Sequence, residues 1–145
     1  INYDGGNYRG RTKDLTLIGY GKSSLDGIAE ALLKRQGRVL VPDQFPDRGY
    51  FYRSDQFNFA KIGVPALYFD NGTDYIGKPA GWGRQQAEEW VEHIYHQPSD
   101  EIDDTWVFDG MTEDATLGFL AGWVVAQADD MPKWNPGDEF EAARK

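Results

Sequence analysis

Apolar residues in the run "SSLDGIAEALLKRQG" fall at Leu25, Ile28, Ala29, Leu32 and Leu33, the spacing of an amphipathic helix with one buried face. Ser23 followed three residues later by Asp26 predicts a capping box at its start, and Gly37 predicts a left-handed cap at its end. On either side, "DLTLIGYG" and "RVLV" read as short buried strands. The next unit repeats this logic. "YFYR" reads as extended, Ser54 as the N-cap of a short helix through "DQFNFAKI", Gly63 as its stop and "VPALYFD" as another buried strand. From Asn71 to Gly83 the composition turns to Gly, Pro, Thr and Asp, which predicts a long surface loop of the kind that often carries function. A helix from about Arg84 to Ile94 follows, and a last one from about Asp109 to Ala128 is apolar on most sides, which predicts deep burial. The closing "GDEFEAARK" reads as a solvated tail.

Strands and helices alternating at this spacing predict an α/β fold with a mainly parallel sheet flanked by helices. In such sheets ligands collect at the carboxyl ends of the strands, where loops and helix N-termini meet. That rule singles out Asp4 after "INY", Arg53 and Ser54 after "YFY", Asp70 after "ALYF", and His96 in the loop "YHQPSDEID". Neutral imidazole is a common metal donor, so His96 among carboxylates is also a candidate ligand. Glu88 and Glu89, in a helical pattern with Gln85 and Glu92, read as a solvated face.

With 145 residues and no internal repeat or linker, the chain reads as one domain. A net charge of −9 and a pI near 4.6 argue against nucleic acid and anionic membranes, which require clustered Lys and Arg. There is no cysteine, so disulfides, thiolate metal sites and cysteine nucleophiles are excluded and any metal needs N and O donors. The longest apolar run, Leu117 to Ala128, falls short of the roughly 20 residues that span a bilayer, so no membrane insertion is expected. Without an initiator methionine, "INYDGG" predicts an N-terminus made by cleavage or by design.

Taken in order, "INYDGG", "YRSDQFNFAKIGVPALYF" and "YHQPSDEID" resemble the C-terminal half of the catalytic domain of the di-zinc aminopeptidases, metallopeptidase family twenty-eight. The resemblance covers nearly the whole chain and implies a three-layer, zinc-exopeptidase-like fold. It implies zinc ligands at Asp4 and His96, an oxyanion-stabilising phenol at Tyr95, and a substrate-lining segment at Arg53, Ser54 and Asp55. Gln56 departs from the pattern, since members often carry histidine there. The chemistry implied is metal-assisted: two zinc ions activate a shared water and polarise the scissile carbonyl while a glutamate takes the proton.

The family's upstream His-x-Asp and Glu-Glu motifs are not in this sequence. The expectation is therefore an incomplete domain spanning residues 1–145, a fragment of a secreted or periplasmic exopeptidase acting on peptide substrates. Its partner would be the N-terminal half of the domain, or a second copy through self-association. By itself it should bind zinc weakly and lack activity, because catalytic zinc wants about three protein ligands. The alternative is a non-catalytic binding module on the same fold.

Overall fold

The computed structural model describes residues 1–143. Strand β1 (Asp14–Ile18) is buried at all five positions and lies at the centre of the sheet, with β2 (Val39–Pro42) on one side and β3 (Tyr68–Asp70) on the other. Helix α1 (Leu25–Arg35) carries the chain back so that β2 runs parallel to β1, with Leu15 opposite Leu40. β3 runs antiparallel to β1, with Leu17 opposite Phe69. The sheet is thus mixed rather than mainly parallel. A parallel return needs a long crossover, and the only helix between β2 and β3 is the five-residue α2 (Gln56–Ala60). Beyond β3, Asn2 pairs in parallel with Tyr68 through Asn2 N–H to Leu67 O at 2.7 Å and Phe69 N–H to Asn2 O at 3.1 Å.

Alternation along the strands divides the core in two. Leu15, Leu17, Leu67 and Phe69 face α1 and α4 (Asp109–Ala126), packing against Leu25, Ala29, Leu33, Leu117 and Ala121. Ile18 and Tyr68 face the other way, onto Phe51, Ala60, Trp134 and Phe140. α1 ends as its sequence predicts. Gly37 is left-handed at φ 72°, its N–H reaches Lys34 O at 3.1 Å, and Arg38 N–H reaches Leu33 O at 3.0 Å, a Schellman closure. The predicted capping box forms only in part: the Ser23 hydroxyl accepts Leu25 N–H at 3.3 Å, and the Asp26 carboxylate, besides the Ser23 N–H, takes the Gly21 N–H at 2.7 Å.

Four other expectations are corrected. "YFYR" is not extended: Pro46–Arg48 and Tyr50–Tyr52 form successive 3-10 turns hinged on Gly49 at φ 64°, which stacks the rings instead of alternating them. Ser54 does not cap α2, since its hydroxyl donates to Tyr50 O at 3.2 Å and Asp55 takes the cap position. α4 is not buried all round: Phe119 and Trp123 are 67% and 59% exposed, while only one face meets α1 and the sheet. The tail is not wholly solvated either, because Phe140 is buried against Phe51 and Trp134. Lys22 pins that tail, reaching Glu139 at 2.8 Å and Asp138 at 3.1 Å.

Candidate functional site

The strand ends, the two 3-10 turns and helix α3 (Trp82–His93) enclose a cleft of about 600 Å³. Its floor is the segment after β3, held down by Asp14, whose carboxylate accepts Thr73 N–H at 3.0 Å and Asp74 N–H at 2.9 Å. α3 lies directly on that segment because Gly83 has no side chain. A Cβ there would sit 2.3 Å from Thr73 O, a clash only displacement could relieve. The far wall is the 3-10 region, where Phe45 lies between the guanidinium groups of Arg48 and Arg84 at 4.2 and 4.8 Å from its ring centre.

Of the residues singled out from sequence, Asp4, Arg53, Ser54, Asp70 and Tyr95 all line this cleft. Asp55 and His96 do not. His96 is exposed in the turn after α3, at φ 59°, with its ring stacked on Tyr95 at 3.8 Å. Glu88 and Glu89 are exposed and occupied along the helix, by Arg84 at 3.1 Å and Gln85 at 2.8 Å. Gln56 is buried and donates to Phe51 O at 2.8 Å, so it braces the 3-10 turns.

Asp4 is built to stay ionised. Loss of hydration works against its charge, but the Ser54 hydroxyl dipole beside it and hydrogen bonds from Asn2 and Tyr68 outweigh it and hold the carboxyl below the usual aspartate value. The Asn2 amide donates at 2.8 Å and the Tyr68 hydroxyl at 2.9 Å. Burial pushes the Tyr68 phenol well up, so it remains a proton donor to the carboxylate. Asp70 shows the opposite tuning. Burial raises its carboxyl, Asn71 N–H partly offsets that, and the charges of Asp43, Asp4 and Asp114 raise it further. One carboxylate is therefore fixed in its charged form beside another that favours its proton.

Sequence reasoning missed Tyr68, Arg48 and Trp90 as parts of this cleft, and Asn2 as a donor to Asp4. Tyr68 left one usable signal: a tyrosine in an otherwise apolar strand has a hydroxyl that needs a partner. For Arg48 and Trp90 the local sequence holds no such mark.

An ionised carboxylate among phenols and guanidinium groups can orient a polar, peptide-like ligand by hydrogen bonds and charge. Over residues 1–116 the chain matches the model of Peptidase family M28, which sets it among the metallopeptidases, within the hydrolases. The chain belongs to family M28. Comparison with curated proteins and with solved structures gives no match. Among the described residues no three side chains of His, Asp or Glu gather closely enough to hold a metal ion. Asp4 in the cleft and His96 outside it do not fit a zinc centre by themselves.

Proposed function

We propose that this chain supplies part of the active site of a zinc-dependent aminopeptidase that hydrolyses N-terminal peptide bonds, and that these 145 residues alone are inactive. The observation that carries the reading is the M28 family match together with a cleft that brings an ionised Asp4 and the Tyr95 phenol to one ligand-sized space. In this reading Asp4 and His96 each give one donor to a metal centre whose other ligands and general base come from outside the 145 residues. Tyr95 faces the developing oxyanion, and Arg53 and Ser54 hold the substrate. When bound, zinc would supply the activated water and polarise the carbonyl. The same reading carries a secreted or periplasmic location.

The test uses the full-length polypeptide. It should release N-terminal residues from peptides in a chelator-sensitive way, His96→Ala should abolish this, and Tyr95→Phe should lower kcat more than KM. Undiminished turnover in the His96→Ala protein would rule the assignment out. The competing reading is a non-catalytic binding module on the same fold, because a fold does not settle function. A full-length protein that binds peptides in the cleft without hydrolysing them, with or without added zinc, would establish it.

A further inference from the structure

In a chain with 24 acidic residues against 15 basic ones, several cations find a carboxylate. Arg11 pairs with Glu113 at 2.6 Å, Arg38 with Asp114 at 2.7 Å, Arg84 with Glu88 at 3.1 Å and Lys22 with Glu139 at 2.8 Å. Two arginines on the far wall of the cleft, Arg48 and Arg53, have no such partner among the described residues. Among the described residues no carboxylate lies within the 4.0 Å ion-pair distance of Arg48 or Arg53, although Asp47 lines the same cleft.

The two are held together rather than left loose. Arg48 is half-buried, stacked on Phe45 at 4.2 Å, and donates through Nη1 to the Tyr50 hydroxyl at 3.1 Å. Arg53 donates through Nη1 to the Arg48 carbonyl at 3.3 Å, which keeps the second guanidinium beside the turn that carries the first. Only one N–H of each is occupied by these bonds, so both retain free donors. Two neighbouring cations without an anion repel each other, and fixing them costs free energy that an anionic ligand recovers. A planar guanidinium with open donors matches a carboxylate better than any other common peptide group. Ser54, next along the chain, contacts Asp4, so the pair stands close to where the reacting bond would lie.

We propose that Arg48 and Arg53 form a carboxylate subsite in the cleft, which selects peptides carrying a free α-carboxylate or an acidic side chain just beyond the residue bound at Asp4. The subsite deepens the peptidase reading and rests on it for the placement of the peptide, but its carboxylate preference is a binding property that can be read without hydrolysis. A chain of charge −9 repels acidic ligands at long range, so such a preference has to come from local guanidinium contacts of this kind.

The experiment titrates the 145-residue chain at low ionic strength with the dipeptide Leu-Leu, with Leu-Leu-amide and with Leu-Glu-amide, read by calorimetry and by fluorescence of the cleft tryptophan, Trp90. At least one carboxylate-bearing peptide should bind about tenfold tighter than Leu-Leu-amide, the scale of one good guanidinium–carboxylate interaction. Leu-Leu leading identifies the α-carboxylate as the group recognised, and Leu-Glu-amide leading identifies the side chain. Arg48→Gln and Arg53→Gln should each bring the preference to within about twofold, and 0.3 M salt should weaken it in the wild type, while Arg35→Gln on the exposed end of α1 should leave it intact. Equal binding of all three peptides, no binding of any, or a preference that survives both cleft substitutions overturns the subsite. A full-length protein that fails to hydrolyse peptides while the preference stands would sink the peptidase reading alone. One that hydrolyses acid and amide peptides equally well would sink the subsite alone.

Discussion

Replacing Asp114 by Ala should be among the most damaging single changes in this protein. Arg38 and Asp114 are 4% and 7% exposed and meet at 2.7 Å, joining the start of β2 to α4. The guanidinium also donates to the Thr12 hydroxyl at 2.8 Å, the Asp14 carbonyl at 2.9 Å and the Gln36 side chain at 3.3 Å, but Asp114 is its one anionic partner among the described residues. Removing the carboxylate leaves a buried cation with nothing to balance it, which costs about 3–5 kcal/mol. Total stabilities run only to about 5–15 kcal/mol, and for a chain of this size the loss corresponds to a Tm lower by roughly 10 °C. Arg38→Met should cost less, because the orphaned Asp114 can take up a proton. The double variant Arg38→Met with Asp114→Ala should be more stable than Asp114→Ala alone, since removing both members of a buried pair leaves no unbalanced charge. Urea unfolding of the three variants and the wild type, with the m-values compared, gives the four free energies of the cycle. A loss under about 1 kcal/mol for Asp114→Ala, or a double variant as unstable as the sum of the singles, would show that the pair is solvated and that the ledger above is wrong.

Asp70→Asn should stabilise the chain at neutral pH. A folded-state carboxyl raised above its ordinary value of 3.8 carries no penalty below that value and a growing one as pH rises through its folded value, so the variant's advantage should appear above pH 4 and vanish by pH 3 in urea titrations; an advantage that is constant with pH would contradict the tuning described. Phe119 and Trp123 on the open face of α4 should drive association at micromolar concentrations, and Phe119→Lys with Trp123→Lys should shift sedimentation toward the monomer; a wild-type chain that sediments as a monomer throughout would remove that face as an interface.

How far the sequence spoke depends on the range of the interaction involved. α1 and its Gly37 cap were legible because their causes lie within one helical repeat and one dihedral angle. Asp70 was legible because a strand-end rule needs only the strand. "YFYR" misled because a run of aromatic residues favours a strand, whereas Gly49 and Pro46 had already turned the backbone, and the Phe51 ring was recruited by Phe140 from almost 90 positions downstream. α4 misled in a different way: an apolar surface on all sides implies a cover, but a sequence pattern does not say whether the cover is in the same chain. The cleft itself rests on contacts such as Tyr68 with Asp4 and Arg84 with Gln44, which are tertiary facts with no local trace.

The family match ends at residue 116, two positions beyond the buried Asp114 and just before Leu117, which with Ala121 closes the core over β1 and β3. What inheritance has kept recognisable and what physics requires for folding therefore part company in the middle of a helix. Trp134 and Phe140, which join Phe51 and Ala60 in sealing the far side of the sheet, lie in the unrecognised stretch, and they prop up the turns that carry Arg48 and Arg53. A gene trimmed to the recognisable part would keep Asp4, Tyr95 and His96 in its sequence while losing the support that gives them a shape. Folding asks of that stretch chiefly an apolar segment that packs against the Phe51 ring.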